Sequence, residues 1–475
     1  MQWSLLSIEI LTSLFGLLLL CLGLLLPKDQ RKGIGYLTTA GLAVLLVILI
    51  GLRNLQGSFL GGMYLVDPLA IFFKGMFLLA AILVSLASHS LVSKLGYNQS
   101  EYYSLVVFAT LGMMIMASAG DLISLYLGLE LMTISFCILA AYERGNAKSA
   151  EAGIKYIILG AMSSAILLYG LSLVYGLTGT TILGEVASKL TSQPLSPSLL
   201  IAVAFVLVGL GFKISAVPLH MWAPDIYEGA PTPVTGFLAV GSKAAAMAAL
   251  MRLYMTTFGA THAFWANIII VLAVLTVVFG NLVAIPQTNI KRLLAYSSIG
   301  QAGFLLLGIV AYSSLGAAAI MFHSFIYVFA NMGAFLVATS WGESTGSDQI
   351  NAYRGMARRE PFLAATMLFC LLSLAGIPPL AGFVSKFLLF TAVVARGYVW
   401  LAIVSILMSM VSVYYYLLVV KAMYLGEPAP SAPPVEVSSS AKLGMALSLL
   451  VVFLVGIYWN PLANLTLGVA SAFVP

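Results

Sequence analysis

The chain is built of long apolar runs separated by short polar connections. A helix needs about 20 apolar residues to cross the hydrocarbon of a bilayer. Fourteen runs approach or exceed that length, near residues 5–26, 33–51, 64–88, 102–119, 121–141, 150–176, 198–220, 231–256, 263–286, 293–312, 315–340, 361–391, 398–424 and 441–460. The longest connections are 177–197, 341–360 and 425–440, the last carrying the Pro/Ser-rich stretch GEPAPSAPPVEVSSS. None of them is long enough to hold a soluble domain. The pattern predicts an all-α membrane protein of about 14 transmembrane helices.

Composition agrees with the pattern. Of 475 residues, 61% are hydrophobic and 8% charged, against about 25% charged in a soluble domain. The N-terminus lacks a basic region and Glu9 interrupts the first apolar run, so no cleavable signal peptide is expected. Cys21, Cys137 and Cys370 lie in apolar stretches without a CxxC pair and read as packing residues. The net charge of +6 does not imply nucleic-acid binding; in a multi-pass protein it reflects the loops that set topology. With the N-terminus outside, the cytoplasmic loops hold Lys28, Arg31, Lys32, Lys94, Arg144, Lys148, Lys291, Arg292, Arg354, Arg358, Arg359, Lys421 and Lys442. Outer loops and ends hold Arg53, Lys189, Arg252 and Arg396. This bias puts both termini on the outer side of the cell inner or plasma membrane.

The remaining lysines, Lys74, Lys155, Lys213, Lys243 and Lys386, fall within the runs. Glu130 lies in the fifth run, inside LISLYLGLELMTISFC. A charge at a helix centre costs roughly 2.5–3.5 kcal/mol on insertion scales. Lys74 and Lys155 lie near span ends, where snorkelling or local pairing accounts for them. Lys213, Lys243 and Lys386 outnumber the one mid-membrane carboxylate, so simple pairing does not satisfy them. Buried lysine and glutamate shift their pKa values toward neutrality, which suits a proton relay. Proline breaks stand beside two of these lysines. Pro218 follows Lys213 in GFKISAVPLHMWAPD, and Pro378 and Pro379 precede Lys386 in LAGIPPLAGFVSKF. Opened backbone at that depth is tolerated where it is buried in protein or lines a cavity, and paired broken spans point to ion sites. Spans four to eight and nine to thirteen then form two inverted five-helix repeats, with discontinuous helices 7 and 12. The predicted divisions are 1–101, 102–256, 257–424 and 425–475. His323 in the eleventh span is a candidate bridge between the halves. Tyr156, Ser163, Ser164, Ser242 and Ser385 are candidate water-holding groups or routine packing residues. His220 reads as a loop contact. No nucleotide fingerprint, haem motif or cysteine cluster is present, and Asp225 and Glu228 lack a metal-ligand set.

The stretches GFKISAVPLHMWAPDIYEGAPTPVTGFLAVGSKAA, NIKRLLAYSSIGQAGF and LAGIPPLAGFVSKF resemble the antiporter-like subunits of respiratory complex I. The likeness covers most of the chain. Lys386, where one member of that family typically carries a glutamate, and the short end after span fourteen narrow the resemblance within the family, as does YRGMARREP at 353–361. The resemblance implies a proton-translocating subunit of an NADH–quinone oxidoreductase, in contact with the bilayer and with other membrane-arm subunits. It implies no cofactor in this chain: NAD, FMN, iron–sulfur clusters and quinone would belong to partner subunits. Position by position it makes Glu130 the partner of Lys213, Lys243 the connecting lysine and Lys386 the lysine of the second half-channel; His323 joins that relay from its own place in the eleventh span. A subunit of a multi-subunit sodium/proton antiporter, which shares the fold, is the alternative.

Overall fold

The computed structural model describes residues 3–27, 30–94, 99–192, 194, 196–427 and 435–473. Lys28, both chain ends and much of the Pro/Ser-rich stretch lie outside the described residues. Helices α1 (Ser7–Leu25) and α2 (Ile34–Gly51) open the chain, and a hairpin of β1 (Gly57–Phe59) and β2 (Tyr64–Val66) leads into α3 (Pro68–Lys94). There follow α4 (Gln99–Ser118), α5 (Leu122–Ala140), α6 (Ala147–Thr178), the short α7 (Leu183–Ser192), α8 (Pro197–Lys213) and α9 (Trp222–Gly229). Helices α10 (Thr232–Phe237) and α11 (Lys243–Leu250) are joined by a π-helical turn, Leu238–Ser242, and a second one, Met251–Thr257, ends that span. The remainder is α12 (His262–Ala284), α13 (Ile290–Ala311), α14 (Ser314–Thr345), α15 (Met356–Arg359), α16 (Pro361–Ala375), α17 (Ala381–Ala395), α18 (Val399–Leu425), α19 (Ser439–Ile457) and α20 (Asn460–Phe473).

Among the described residues, twelve helices are long and apolar enough to cross a membrane. Three shorter apolar helices, α8, α16 and α17, flank two interruptions of the helical backbone. The first runs from Ile214 to Met221 and contains Ser215 at φ 61°, a left-handed conformation that costs a non-glycine residue of order 1–3 kcal/mol and recurs at functional sites. The second, Gly376–Leu380, begins with Gly376 at φ 87°, where glycine carries no such cost.

Small residues set the closest helix contacts, as expected where lipid leaves packing as the main driving force. A Cβ on Gly112 of α4 would fall 2.5 Å from the Met132 nitrogen of α5. A Cβ on Gly280 of α12 would fall 2.5 Å from the Gly300 nitrogen of α13. The two helix pairs match in other ways. Asp121 caps α5 through the amides of Ile123 and Ser124, and Asn289 caps α13 through those of Lys291 and Arg292. Asp121 bridges to Ile182, just beyond α6, and Asn289 to Gln349, just beyond α14. Helices α6 and α14 are each 32 residues long and end on left-handed glycines, Gly179 and Gly346. Helices α10, α11, α13 and α14 form the most enclosed part of the bundle, and they carry its centre, Lys243 and His323.

Candidate functional site

Glu130 sits on α5 with its Oε1 buried and without a hydrogen-bond partner. Lys213 is the last residue of α8, 1% exposed, at the edge of the first interruption. Its Nζ donates to Thr133 Oγ1 at 2.7 Å. Thr133 lies one turn after Glu130 on α5, so the two charges share a helix face contact without a direct ion pair. The Lys213 ammonium also faces the rings of Phe212 at 5.7 Å and Tyr156 at 5.9 Å. Trp222, on the far side of the interruption, stacks on both rings and donates Nε1 to the Phe212 carbonyl at 2.9 Å. An indole thus occupies a carbonyl acceptor beside the interruption, which is how broken backbone is kept satisfied at depth.

Lys243 follows the first π-helical turn and is 1% exposed. Its Nζ donates to Ser298 Oγ at 2.6 Å and to the Tyr227 hydroxyl at 3.1 Å. π-turns re-aim a side chain within an otherwise regular helix and are frequent at functional sites. Lys386 of α17 donates to Ser409 Oγ at 2.9 Å and to the Ala375 carbonyl at 3.0 Å. Ala375 is the last residue of α16, so the second interruption supplies that acceptor. Among the described residues none of Lys213, Lys243 and Lys386 forms an ion pair, whereas Lys74 pairs with Glu9, and Lys155 with Glu151 and Asp225. The surplus of embedded cations read from the sequence is met by neutral oxygen acceptors.

His323 on α14 pairs Nδ1 with Ser385 Oγ at 3.1 Å. Ser385 itself donates to the Gly382 carbonyl at 2.8 Å. While that donation holds, the Ser385 oxygen serves as acceptor for a protonated Nδ1. Nε2 is buried and unpartnered. His323 borders a cavity of about 10 Å³ lined also by Gln301, Tyr327, Ser373 and Lys386, about the space of one water centre. Gln301 Oε1 and the Tyr327 hydroxyl are likewise buried without hydrogen bonds of standard geometry. Tyr327, one turn after His323, neighbours Ser298 and Tyr227, the two groups that hold Lys243. Asn331, a further turn on, is fully buried with both amide atoms unpartnered.

Thr133, Tyr227, Ser298, Gln301, Tyr327, Asn331 and Ser409 were not singled out by the sequence. Serines, tyrosines and amides are routine in membrane helices, and nothing in their spacing marks them. Of the candidates that were, Tyr156 lies under Lys213 and Ser385 under His323. Ser163 and Ser242 bond backbone carbonyls in or beside their own helices, and Ser164 is buried without a partner. His220 is apart from the lysines and packs on Phe279. Asp225 and Glu228 are held by Lys155, Lys148 and Arg292. Two basic residues counted with loops or span ends are instead buried: Lys291, 4% exposed on the Ala230 carbonyl, and Arg252, 3% exposed. Lys291 also lies 3.8 Å from Asp348, and Arg252 is held by the Ala117 carbonyl and by Asp67, both carboxylates being partly exposed.

The second interruption yields a direct test. A Cβ on Gly376 would meet Lys386 Cδ at 3.0 Å, at a backbone φ of 87°. Gly376→Ala is expected to cost about 1 kcal/mol or more through backbone strain and to displace the Lys386 stem. A lowered midpoint of thermal unfolding in detergent checks the first effect.

A family model described as NADH:quinone oxidoreductase/Mrp antiporter, TM, matches residues 119–412. The NADH-quinone oxidoreductase subunit N of Moorella thermoacetica is 59% identical over 99% of this chain and 98% of its own length. That of Desulforamulus reducens is 52% identical over 100% and 99%. A chain of respiratory complex I from Thermus thermophilus superposes with a TM-score of 0.83 at 33% identity, covering 96% of this chain and 98% of its own. A chain of the Mrp complex from Dietzia sp. DQ12-45-1b superposes with a TM-score of 0.89 at 20% identity, covering 100% and 98%, a likeness of fold alone. The chain therefore belongs to the NADH:quinone oxidoreductase/Mrp antiporter membrane-subunit family, and its full-length likeness is to subunit N of NADH-quinone oxidoreductase.

Proposed function

We propose that this chain is a membrane-arm subunit of a proton-translocating NADH–quinone oxidoreductase, and that Glu130, Lys213, Lys243, His323 and Lys386 carry its protons. The observation that carries the reading is a row of buried ionisable groups running from α5 to α17, its three lysines on neutral acceptors. Lys213 holds its proton while Glu130 stays close. When a neighbouring subunit loosens that contact, the proton is passed on toward Lys243, the two groups titrating as one coupled system. From Lys243 the way to Lys386 runs by Ser298, Tyr327 and His323 Nε2. Redox groups belong to other subunits; this chain takes part in the translocase through the relay alone.

Counting α8 with α9, and α16 with α17, each as one discontinuous crossing raises the twelve long helices to fourteen. The divisions 1–101, 102–256, 257–424 and 425–475 follow, the middle two being inverted repeats. What supports the repeat is the recurrence of the capped helix, the glycine contact, the bridge and the 32-residue helix. Asn289 stands 168 positions after Asp121, and Gly280 168 after Gly112. At that spacing Glu130 falls on Ser298 and Thr133 on Gln301. The second repeat thus has a hydroxyl, bonded to Lys243, where the first has its carboxylate.

The sodium/proton antiporter alternative shares the fold, but the identity to subunits N over full length favours the redox complex. Solubilised in mild detergent from its native membrane, a tagged chain is expected to bring down a complex with NADH–quinone reductase activity. A tag after Pro475 is expected to be reached from the outer face of intact cells. Recovery of an assembly without redox subunits would overturn the first expectation in favour of the antiporter.

A further inference from the structure

A second set of buried charges lies outside this relay, around the α1–α3 segment. Lys74 of α3 pairs with Glu9 of α1 at 2.9 Å, with side chains 1% and 8% exposed. A buried pair of this kind does no better than break even against apolar packing, and an intramembrane ionisable residue points to function unless something else explains it. Its surroundings repeat those of Lys213. The Lys74 ammonium faces a tyrosine ring, Tyr64 at 5.2 Å, as Lys213 faces Tyr156. The Tyr64 hydroxyl lies within electrostatic reach of Glu9, Ser118 and Arg252. Neither it nor Ser118 Oγ has a hydrogen bond of standard geometry, and both are buried, but the Tyr64 hydroxyl lies close enough to Glu9 and Ser118 to bond them. At the rim, Arg252 grips Asp67 through two hydrogen bonds, 2.8 and 2.9 Å, and the Asp67 side chain is 32% exposed. Apart from Arg252, all of these residues lie before residue 119, where the family model begins. The cluster stands at the ends of α3 and α4 that share a side with the start of α1, the side to which both termini are assigned above.

We propose that Glu9 and Lys74 form a proton-exchange site open toward that outer face, with Tyr64 and Ser118 as the hydroxyls through which the proton passes and Asp67–Arg252 as its rim. In the resting pair the proton stays on Lys74 Nζ and Glu9 is ionised. Transfer to a Glu9 oxygen neutralises both groups. A hydroxyl then takes that proton and releases its own toward Asp67, so Glu9 returns to its ionised form and Lys74 is left ready to accept. The site rests on the proton-translocating reading above and adds an exchange site to it.

The test uses the whole complex reconstituted in vesicles, with the proton-to-electron ratio measured at matched amounts of assembled complex. Tyr64→Phe combined with Ser118→Ala removes two buried hydroxyls and leaves the Glu9–Lys74 pair in place, so a purely structural role predicts a change in thermal stability with an unchanged ratio. The proposal predicts a lowered ratio with assembly retained. The charge-neutral pair Glu9→Gln with Lys74→Met is expected to assemble and to show the same lowered ratio. Full pumping by that double variant, or failure of the hydroxyl variant to assemble, would make the cluster a packing element and overturn the proposal. Lys386→Ala serves as the reference. A lowered ratio there beside an unchanged hydroxyl variant overturns the exchange site alone. No change in either overturns the relay reading and this site with it.

Discussion

Lys386→Ala is expected to lower the proton-to-electron ratio of the reconstituted complex without preventing its assembly. Among the described residues Lys386, the proposed carrier, is held by Ser409, the Ala375 carbonyl and the face of Phe304 at 4.6 Å, so its loss leaves no buried carboxylate uncompensated. A positioned acid or base is worth roughly 10²–10⁴-fold in proton transfer, and transfer through this subunit should slow on that scale. Lys213→Ala should act alike. Glu130→Gln keeps shape and hydrogen-bonding capacity but removes the charge that holds the Lys213 proton, so the lysine can no longer alternate between states. Arginine at either lysine is not expected to restore pumping, because a guanidinium does not release its proton in this range. Lys94→Ala is the control. That side chain is 61% exposed and paired with Glu343, and an exposed pair contributes about 0–1 kcal/mol. Unchanged ratio and rate in both Glu130→Gln and Lys386→Ala would mean that the embedded charges are structural.

Tyr327→Phe is expected to give the second large effect. The hydroxyl has no hydrogen bond of standard geometry and at most a weak one to Ser298, so its removal should cost no more than about 0.5–1.5 kcal/mol of stability. It nevertheless neighbours Ser298 on one side and the His323 cavity on the other. Without it the hydroxyl route from Lys243 to Lys386 loses its middle member. The ratio should fall to about the level of the Lys386→Ala complex, and combining the two changes should add little, since both cut one path. Additive losses in the double variant would mean that Tyr327 and Lys386 serve separate paths.

Much of this protein was legible along the chain, because a bilayer imposes a length and a polarity on every crossing. Apolar runs of about 20 residues, sparse charges and two proline-broken segments can be counted without a structure, and Glu130, Lys213, Lys243, His323 and Lys386 stand out against that background by cost alone. What binds those charges was not legible. Thr133, Ser298 and Ser409 are ordinary helix residues until packing brings each within 3 Å of an ammonium. The partner of Lys74 is 65 positions away at Glu9, and Arg252, counted from the sequence at a span end, turns inward at a π-helical turn to meet Asp67. The proposed repeat showed in the sequence only as matching breaks, since the features that support it are backbone events: a cap, a close helix contact and a bridge, which different side chains satisfy equally well. Membrane insertion is governed by summed hydrophobicity along the chain, and sequence determines that sum. Proton transfer is governed by distances of about 3 Å between groups on different helices, and only the tertiary structure decides those.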